Sequence, residues 1–403
     1  MGIKSWMSLA LGLSVGTLPV LAQVAIQGET VYTMAGAPIQ NGVVLVQGNK
    51  IQAVGPAATV SIPPGYRTFK AKVVTPGLVD AHATVGLSGI NNIPQDQSQL
   101  EKSSPIQPEL RAVDGYNAGE PLVAWVRSFG VTTVHTGHGP GALVSGQTMT
   151  VKTTGNTVAQ ALMQPVTMVA FTLGPQVSAN FKSPGTRAKG VALLRETLLK
   201  AQAYLRKQQG DPATRPPEDL GMEILAQVLT GKLPALITAQ SATEIVTALR
   251  LAEEFKFKLV LDGAAEAYLV VDELKKAGVP VIVHPTMVRP VGDTQNASLE
   301  TAALLHQAGI PLALQSGYEA YVPKTRVVLF EAALAAANGL PFEAALASIT
   351  SDAAKILGID NRVGSLVVGK DADLVLFDGD PFEYTSHVCT VLIDGVVVND
   401  HCR

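Results

Sequence analysis

The chain has 403 residues, a formal net charge of −3 and 47% apolar residues. That length accommodates one large domain, a smaller one and a sizeable core. The nearly balanced charge gives no footing for nucleic acid or for an anionic membrane surface, and the wealth of Ala, Val and Leu suits buried parallel strands covered by helices.

Residues 1–22 read as a signal peptide. Lys4 supplies the positive start, Trp6 to Leu18 an apolar stretch broken by Gly and Ser, and Val20-Leu21-Ala22 a small-residue cleavage site. At about 13 residues the apolar stretch is short for a membrane span. The expectation is an exported chain, periplasmic or extracellular, free of the membrane after cleavage near Ala22.

Residues 24–75 break into short β-rich pieces, among them Gly42–Val46 and Lys50–Val54 around a Gly48-Asn49 turn. The same texture returns in Gly364–Leu366, Ala372–Phe377 and Thr390–Ile393. Two β-rich ends around an α/β middle predict a small β-sandwich built from both termini, residues 23–75 and 359–403. Cys389 and Cys402 flank a hairpin turning at Asp394-Gly395. They pair or stay as two thiols according to compartment, and their spacing does not decide which.

Strands and helices alternate from Pro76 to about Leu357. Strands are predicted at Val131–Val134, Val166–Phe171, Leu236-Ile237, Lys258–Leu261, Val279–Val283 and Leu312–Leu314. Helices are predicted at Gly190–Gln209, Ala242–Phe255, Ala264–Ala277, Ala297–Ala308, Val327–Ala337 and Pro341–Leu357. An open doubly wound sheet competes with a closed (β/α)8 TIM-like barrel over 76–358, and the spacing of the units favours the barrel. The polar stretch Gly86–Glu120 follows the first strand and would overhang the mouth as a lid or binding loop.

The middle opens on Val73-Val74-Thr75-Pro76-Gly77-Leu78-Val79-Asp80-Ala81-His82-Ala83-Thr84. Period 2 puts Asp80, His82 and Thr84 on one face, at the strand end where barrel enzymes keep their chemistry. This stretch resembles the first-strand motif of the amidohydrolase superfamily, Pro-Gly-hydrophobic-hydrophobic-Asp-x-His-x-His, with Thr84 in place of the second histidine. Gly364-Ser365-Leu366-Val367-Val368-Gly369-Lys370-Asp371-Ala372-Asp373-Leu374-Val375-Leu376 is similar to the family's closing segment. Glu343–Leu357, stopped by Gly358, resembles its last barrel helix. The chain is thereby identified as a member of that superfamily, of an imidazolonepropionase-like kind.

The resemblance implies a divalent, zinc-like metal at the barrel mouth, which lowers the pKa of bound water and polarises a carbonyl. The family's ligands are two histidines on strand 1, a lysine or glutamate on strand 4, a histidine each on strands 5 and 6, and an aspartate on strand 8. Here only His82 survives. Thr84 replaces its companion, Val166–Phe171 has no lysine or glutamate, and Thr238 or Gln240, Asp262 and Gln315-Ser316 stand at the later positions. Neutral hydroxyls and amides hold zinc poorly.

Other histidines fall at predicted strand ends: His135, His138 and His284. A relocated metal set would be His82, His135 and His284, with Asp262 as a further ligand or a base. A metal-free acid–base set would use His82, Asp262 and His284, with His135, His138, Gln240 and Gln315 binding substrate. Each histidine alone also reads as an ordinary hydrogen-bonded one. Asp80 has a structural reading, accepting hydrogen bonds beneath the mouth. The run Gly137-His138-Gly139-Pro140-Gly141 reads as a tight turn or as an anion-binding turn. Two function classes stay open. One is an amidohydrolase-type hydrolase of amide or cyclic amide C–N bonds in a small molecule, with a rearranged or depleted metal site. The other is a non-catalytic protein of the same fold that binds a small molecule or a partner. Homo-oligomerisation is left open.

Overall fold

The structure, a computed structural model, describes residues 23–287, 290–318 and 327–403. The expected signal peptide lies outside the described residues. In chain order the strands are β1 (Gln23–Val31), β2 (Ile39–Gln47), β3 (Lys50–Pro56), β4 (Arg67–Pro76), β5 (Leu78–Ala83), β6 (Val131–Thr136), β7 (Val144–Gln147), β8 (Met149–Lys152), β9 (Leu162–Gln164), β10 (Val169–Thr172), β11 (Ala235–Ala239), β12 (Leu259–Gly263), β13 (Val281–Val283), β14 (Leu312–Leu314), β15 (Leu374–Phe377), β16 (Val388–Ile393) and β17 (Val396–Asn399).

The barrel follows from a two-residue alternation. On β11 to β14, Leu236, Val260, Ile282 and Ala313 point inward and pack with Val79, Ala81 and Met168 as an inner core. Their neighbours Ile237, Leu261, Val283 and Leu314 belong to the outer core shared with the helices. Strands apolar on both faces suit a parallel sheet covered by helices. Strands β10 to β14 pair in parallel, in order. β5 pairs in parallel with β6, and a parallel bridge between Ala83 and Gly317, just past β14, joins the two ends of the ring.

The third barrel position departs from the expected repeat. It is filled by β7 and β8, which run antiparallel to β10 and β6 respectively. Thr148 joins them, its N–H donating to Met168 O at 2.9 Å. The glycine-rich run after β6 is therefore the turn that reverses the chain. Gly141 sits at φ +131°, and a Cβ there would lie 2.7–2.8 Å from Asn180 and Leu100 atoms, so a side chain fits neither the backbone nor the space.

Two other expectations need correction. Val271–Ala277 is the only α-helical part of the predicted 264–277 helix, because Ala264 is held at φ +58°, outside the helical region. Gly364–Leu366 forms no strand; Leu366 N–H donates to Thr33 O at 2.8 Å instead.

The terminal strands join in one seven-stranded sheet, β17-β16-β15-β4-β1-β2-β3. The parting of the two halves is bridged by β4 and β15, which pair antiparallel. A buried cation fixes this sheet to the barrel. Lys152, at the end of β8, reaches Asp371 at 2.9 Å, Asp373 at 3.1 Å and Asp394 at 2.5 Å. Asp371 also takes Lys50 at 2.6 Å and Arg362 at 2.8 Å. The Lys370-Asp371-Ala372-Asp373 run thus has a mechanical role, since it meets the barrel floor. Cys389 and Cys402 form a disulfide that ties the last residues to β16.

Candidate active site at the barrel mouth

One step beyond each inward apolar residue stands an inward polar one: Leu236 is followed by Thr238, Val260 by Asp262, Ile282 by His284 and Ala313 by Gln315. The period-2 rule thus sets a polar layer on top of the apolar core. His82 joins it from β5. The pairing of β5 with β6 is irregular between Asp80 and Ala83, and the three residues expected on one face go to different partners.

Asp262 is the hub. It is fully buried and accepts from Thr238 Oγ1 at 2.5 Å and from Gln315 Nε2 at 2.7 Å. His82 Nδ1 lies 2.9 Å from its Oδ1. Burial opposes the charge of Asp262, yet His82, Thr238 and Gln315 hold its carboxyl below the usual range. Ionised, it can only accept, so His82 Nδ1 carries the proton. His82 Nε2 is buried and has no hydrogen-bond partner among the described residues.

Asp80 serves elsewhere. It accepts from Ser316 N–H at 3.0 Å and Ser316 Oγ at 2.5 Å, and burial pushes its pKa up to about 6. That is the structural role beneath the mouth. Thr84, in the place of the second histidine, meets Ser88 Oγ at 2.9 Å.

The remaining sequence candidates divide. His135 is corrected: Nδ1 lies 2.6 Å from Ala81 O and must donate to it, and Nε2 lies 2.7 Å from Thr148 Oγ1. With both nitrogens taken, it has none left for a metal or substrate. Burial, with His82 adding to it, lowers its pKa to about 3. Gln240 is committed too, donating to Tyr318 OH at 2.8 Å and accepting from Ala265 N–H at 3.2 Å. Gln315 spends its amide on Asp262 and keeps a buried Oε1 with no partner among the described residues. His284 stands with its ring 5.2 Å from that of Tyr318.

His138 lies in the turn after β6, 7% exposed, with neither ring nitrogen partnered among the described residues. Burial lowers its pKa to about 4. An imidazole that folds neutral adds stability above its unfolded pKa of about 6.5 and loses that contribution as the pH falls toward 4. Urea unfolding of His138→Leu should therefore show a smaller loss of stability between about pH 7 and pH 4.5 than the unaltered chain, by on the order of 2 kcal/mol. An unchanged loss would mean that His138 is not buried neutral.

Sequence reasoning missed Tyr318. Its ring lies 5.8 Å from that of His82 and 5.2 Å from that of His284, so it spans two of the mouth histidines. Its place just past β14 was the available signal, since barrel sites gather there. The stretch 86–120 packs along β7, with Gln107 N–H donating to Val144 O at 2.9 Å and Gln147 N–H to Leu110 O at 2.8 Å.

A family model for the amidohydrolase family matches residues 122–399. This chain belongs to the amidohydrolase family. A solved amidohydrolase of Thermotoga maritima MSB8 is similar over 94% of this chain and all of its own, at 30% identity and a TM-score of 0.88. Amidohydrolase tasK of Hapsidospora irregularis is 25% identical over 394 residues, 90% of this chain and 39% of that protein. The imidazolonepropionase of Shewanella sp. (strain MR-4) is 36% identical over 109 residues, 27% of this chain and 26% of that enzyme. The chain therefore spans well under half of the length of these two curated relatives.

Among the described residues the divalent metal implied by the family meets no grouped set of donors. Zinc sites need three or more imidazole, thiolate or carboxylate ligands. Among the described residues no three His, Cys, Asp or Glu side chains are grouped to hold an ion. The carboxylate of Asp262 is shared by three donors and both nitrogens of His135 are spent. The expected His82–His135–His284 set is thus not supported.

Proposed function

We propose that this chain hydrolyses an amide or cyclic amide C–N bond of a small molecule, using the His82–Asp262 pair for proton transfer in place of the family's metal cluster. One observation carries the reading: Asp262 holds Nδ1 of His82, which leaves Nε2 as a buried lone pair with no partner among the described residues. A water beside Nε2 gives up a proton to it as its oxygen adds to the substrate carbonyl. Asp262 stabilises the resulting imidazolium, as the carboxylate does in hydrolytic triads. The same proton then passes to the leaving nitrogen as the C–N bond breaks, giving a carboxylic acid and an amine. Positioned proton transfer of this kind contributes about 10²–10⁴-fold. The resemblance to the Shewanella imidazolonepropionase supports a cyclic amide among the substrates. The Cys389–Cys402 disulfide supports work in an oxidising compartment outside the cytoplasm.

A second reading rests on the closure of the mouth. His82, Asp262 and Gln315 have no exposed surface and His284 has 2%. That suits a fold that keeps the pair as an internal pin and binds a ligand without consuming it.

The test is product formation by protein dialysed against a chelator, on a panel of N-acyl amino acids and cyclic amides, read by mass spectrometry. Steady product above a boiled control is the expected result. Turnover that appears only with added zinc and vanishes with chelator would overturn the metal-free mechanism. Binding without product would establish the second reading.

A further inference from the structure

A cleft of about 450 Å³ lies beside the barrel, and none of its lining comes from His82, Asp262, His284 or Gln315. It lies among three helices, Pro175–Asn180, Arg187–Gln208 and Ala242–Phe255. We propose that it binds a small organic carboxylate, with one anionic group on an apolar body.

The floor is apolar: Leu143, Leu173 and Val177 line it and each is buried. The rim is cationic. Arg187 and Arg195 lie along one face of the long helix, with Val191 between them, and Arg250 follows Thr243 and Thr247 along the facing helix at i, i+4 and i+7. The one carboxylate in the lining, Glu244, is already committed. It accepts from Arg187 Nε at 2.9 Å and from the backbone N–H groups of Gln240 and Ser241 at 3.3 and 3.2 Å.

The arginines are not committed to the same degree. Arg187 uses only Nε on Glu244, and Arg195 only Nε on Glu254, at 2.9–3.0 Å. Arg250 makes no ion pair among the described residues. The Nη groups of all three have no acceptor among the described residues, and a guanidinium presents those groups as a planar fork matched to a carboxylate. The volume falls in the range of small-molecule sites. An inorganic anion would answer the rim but leave the apolar floor in contact with water. An apolar-bodied acid covers both.

Calorimetric titration with phenylacetate tests this. The expected result is saturable one-to-one binding at roughly millimolar affinity, with acetate and inorganic phosphate each about tenfold weaker or absent and phenethylamine silent. Arg250 is exposed, so Arg250→Met should fold normally, and it should weaken phenylacetate about tenfold. His82→Ala should leave the affinity unchanged, because His82 does not line the cleft. Equal affinity in Arg250→Met, loss of binding in His82→Ala, no heat at about ten times the expected dissociation constant, or phosphate binding as tightly as phenylacetate would each overturn the proposal. Because this readout is binding at a separate site, its failure is distinct from a failure of the proposed hydrolysis.

Discussion

His82→Ala lowers turnover of the amide substrate by about 10³-fold or more, and Asp262→Asn does nearly as much harm. The alanine variant removes the atom proposed to take a proton from water, so the loss should fall on kcat rather than on KM. The asparagine variant works through the tautomer. Asp262 Oδ1 accepts the Nδ1 proton at 2.9 Å and also accepts from Gln315 Nε2; an amide that turns its NH2 toward Nδ1, with Gln315 turning its Oε1 to accept from that NH2, would drive the proton to Nε2 and block the lone pair. The carboxamide remains compatible with Thr238, whose hydroxyl can still donate to an amide oxygen. Comparing kcat, KM and urea unfolding for both variants separates chemistry from folding. If either variant keeps full turnover while folded, the pair is a pin and not a base.

The fold was legible for a local reason. Inward apolar residues at Leu236, Val260, Ile282 and Ala313, each followed two residues on by a polar one, state both the barrel interior and its mouth without reference to anything distant. The helix from Ala242 to Phe255 was equally legible, because Ser241 and Glu244 form a capping box at its start. The antiparallel third strand was not legible, because its direction is set by a glycine turn whose φ angles the residue names only permit. The site was half legible. His82 and Asp262 carry their own chemistry in their names, and strand ends locate them.

His135 misled for the complementary reason. It sits at a strand end like the others, but its fate depends on Thr148, supplied by the reversed strand that the sequence did not disclose. Tyr318 was missed because an aromatic residue after a strand usually reads as packing. Only the ring distances to His82 and His284 give it a place in the site. What periodicity cannot supply is pairing across the barrel, and both errors are of that kind.

Lys152→Met destabilises the chain by about 3–5 kcal/mol at about pH 8, a large part of a domain's whole stability. Asp371 would keep Lys50 and Arg362. Burial works against its charge, and those cations with Lys152 hold its pKa down to about 2. Asp373 would keep no cation among the described residues. Burial already raises its pKa to about 6, against the pull of Lys152. A carboxyl whose folded pKa lies above its unfolded value of about 3.9 favours folding at low pH and loses that contribution as the pH rises through 6. Without Lys152 the folded pKa climbs further, so the loss at pH 8 deepens while a protonated Asp373 at pH 5 is tolerated. Urea unfolding of Lys152→Met should therefore show a clearly smaller defect at about pH 5 than at about pH 8. Adding Asp373→Asn should restore part of the loss at the higher pH, because it removes the buried charge that the lysine had balanced. A defect equal at both pH values, or a double variant no more stable than the single one, would assign the effect to lost packing of the lysine stem and not to the charges that fix the end sheet to the barrel floor.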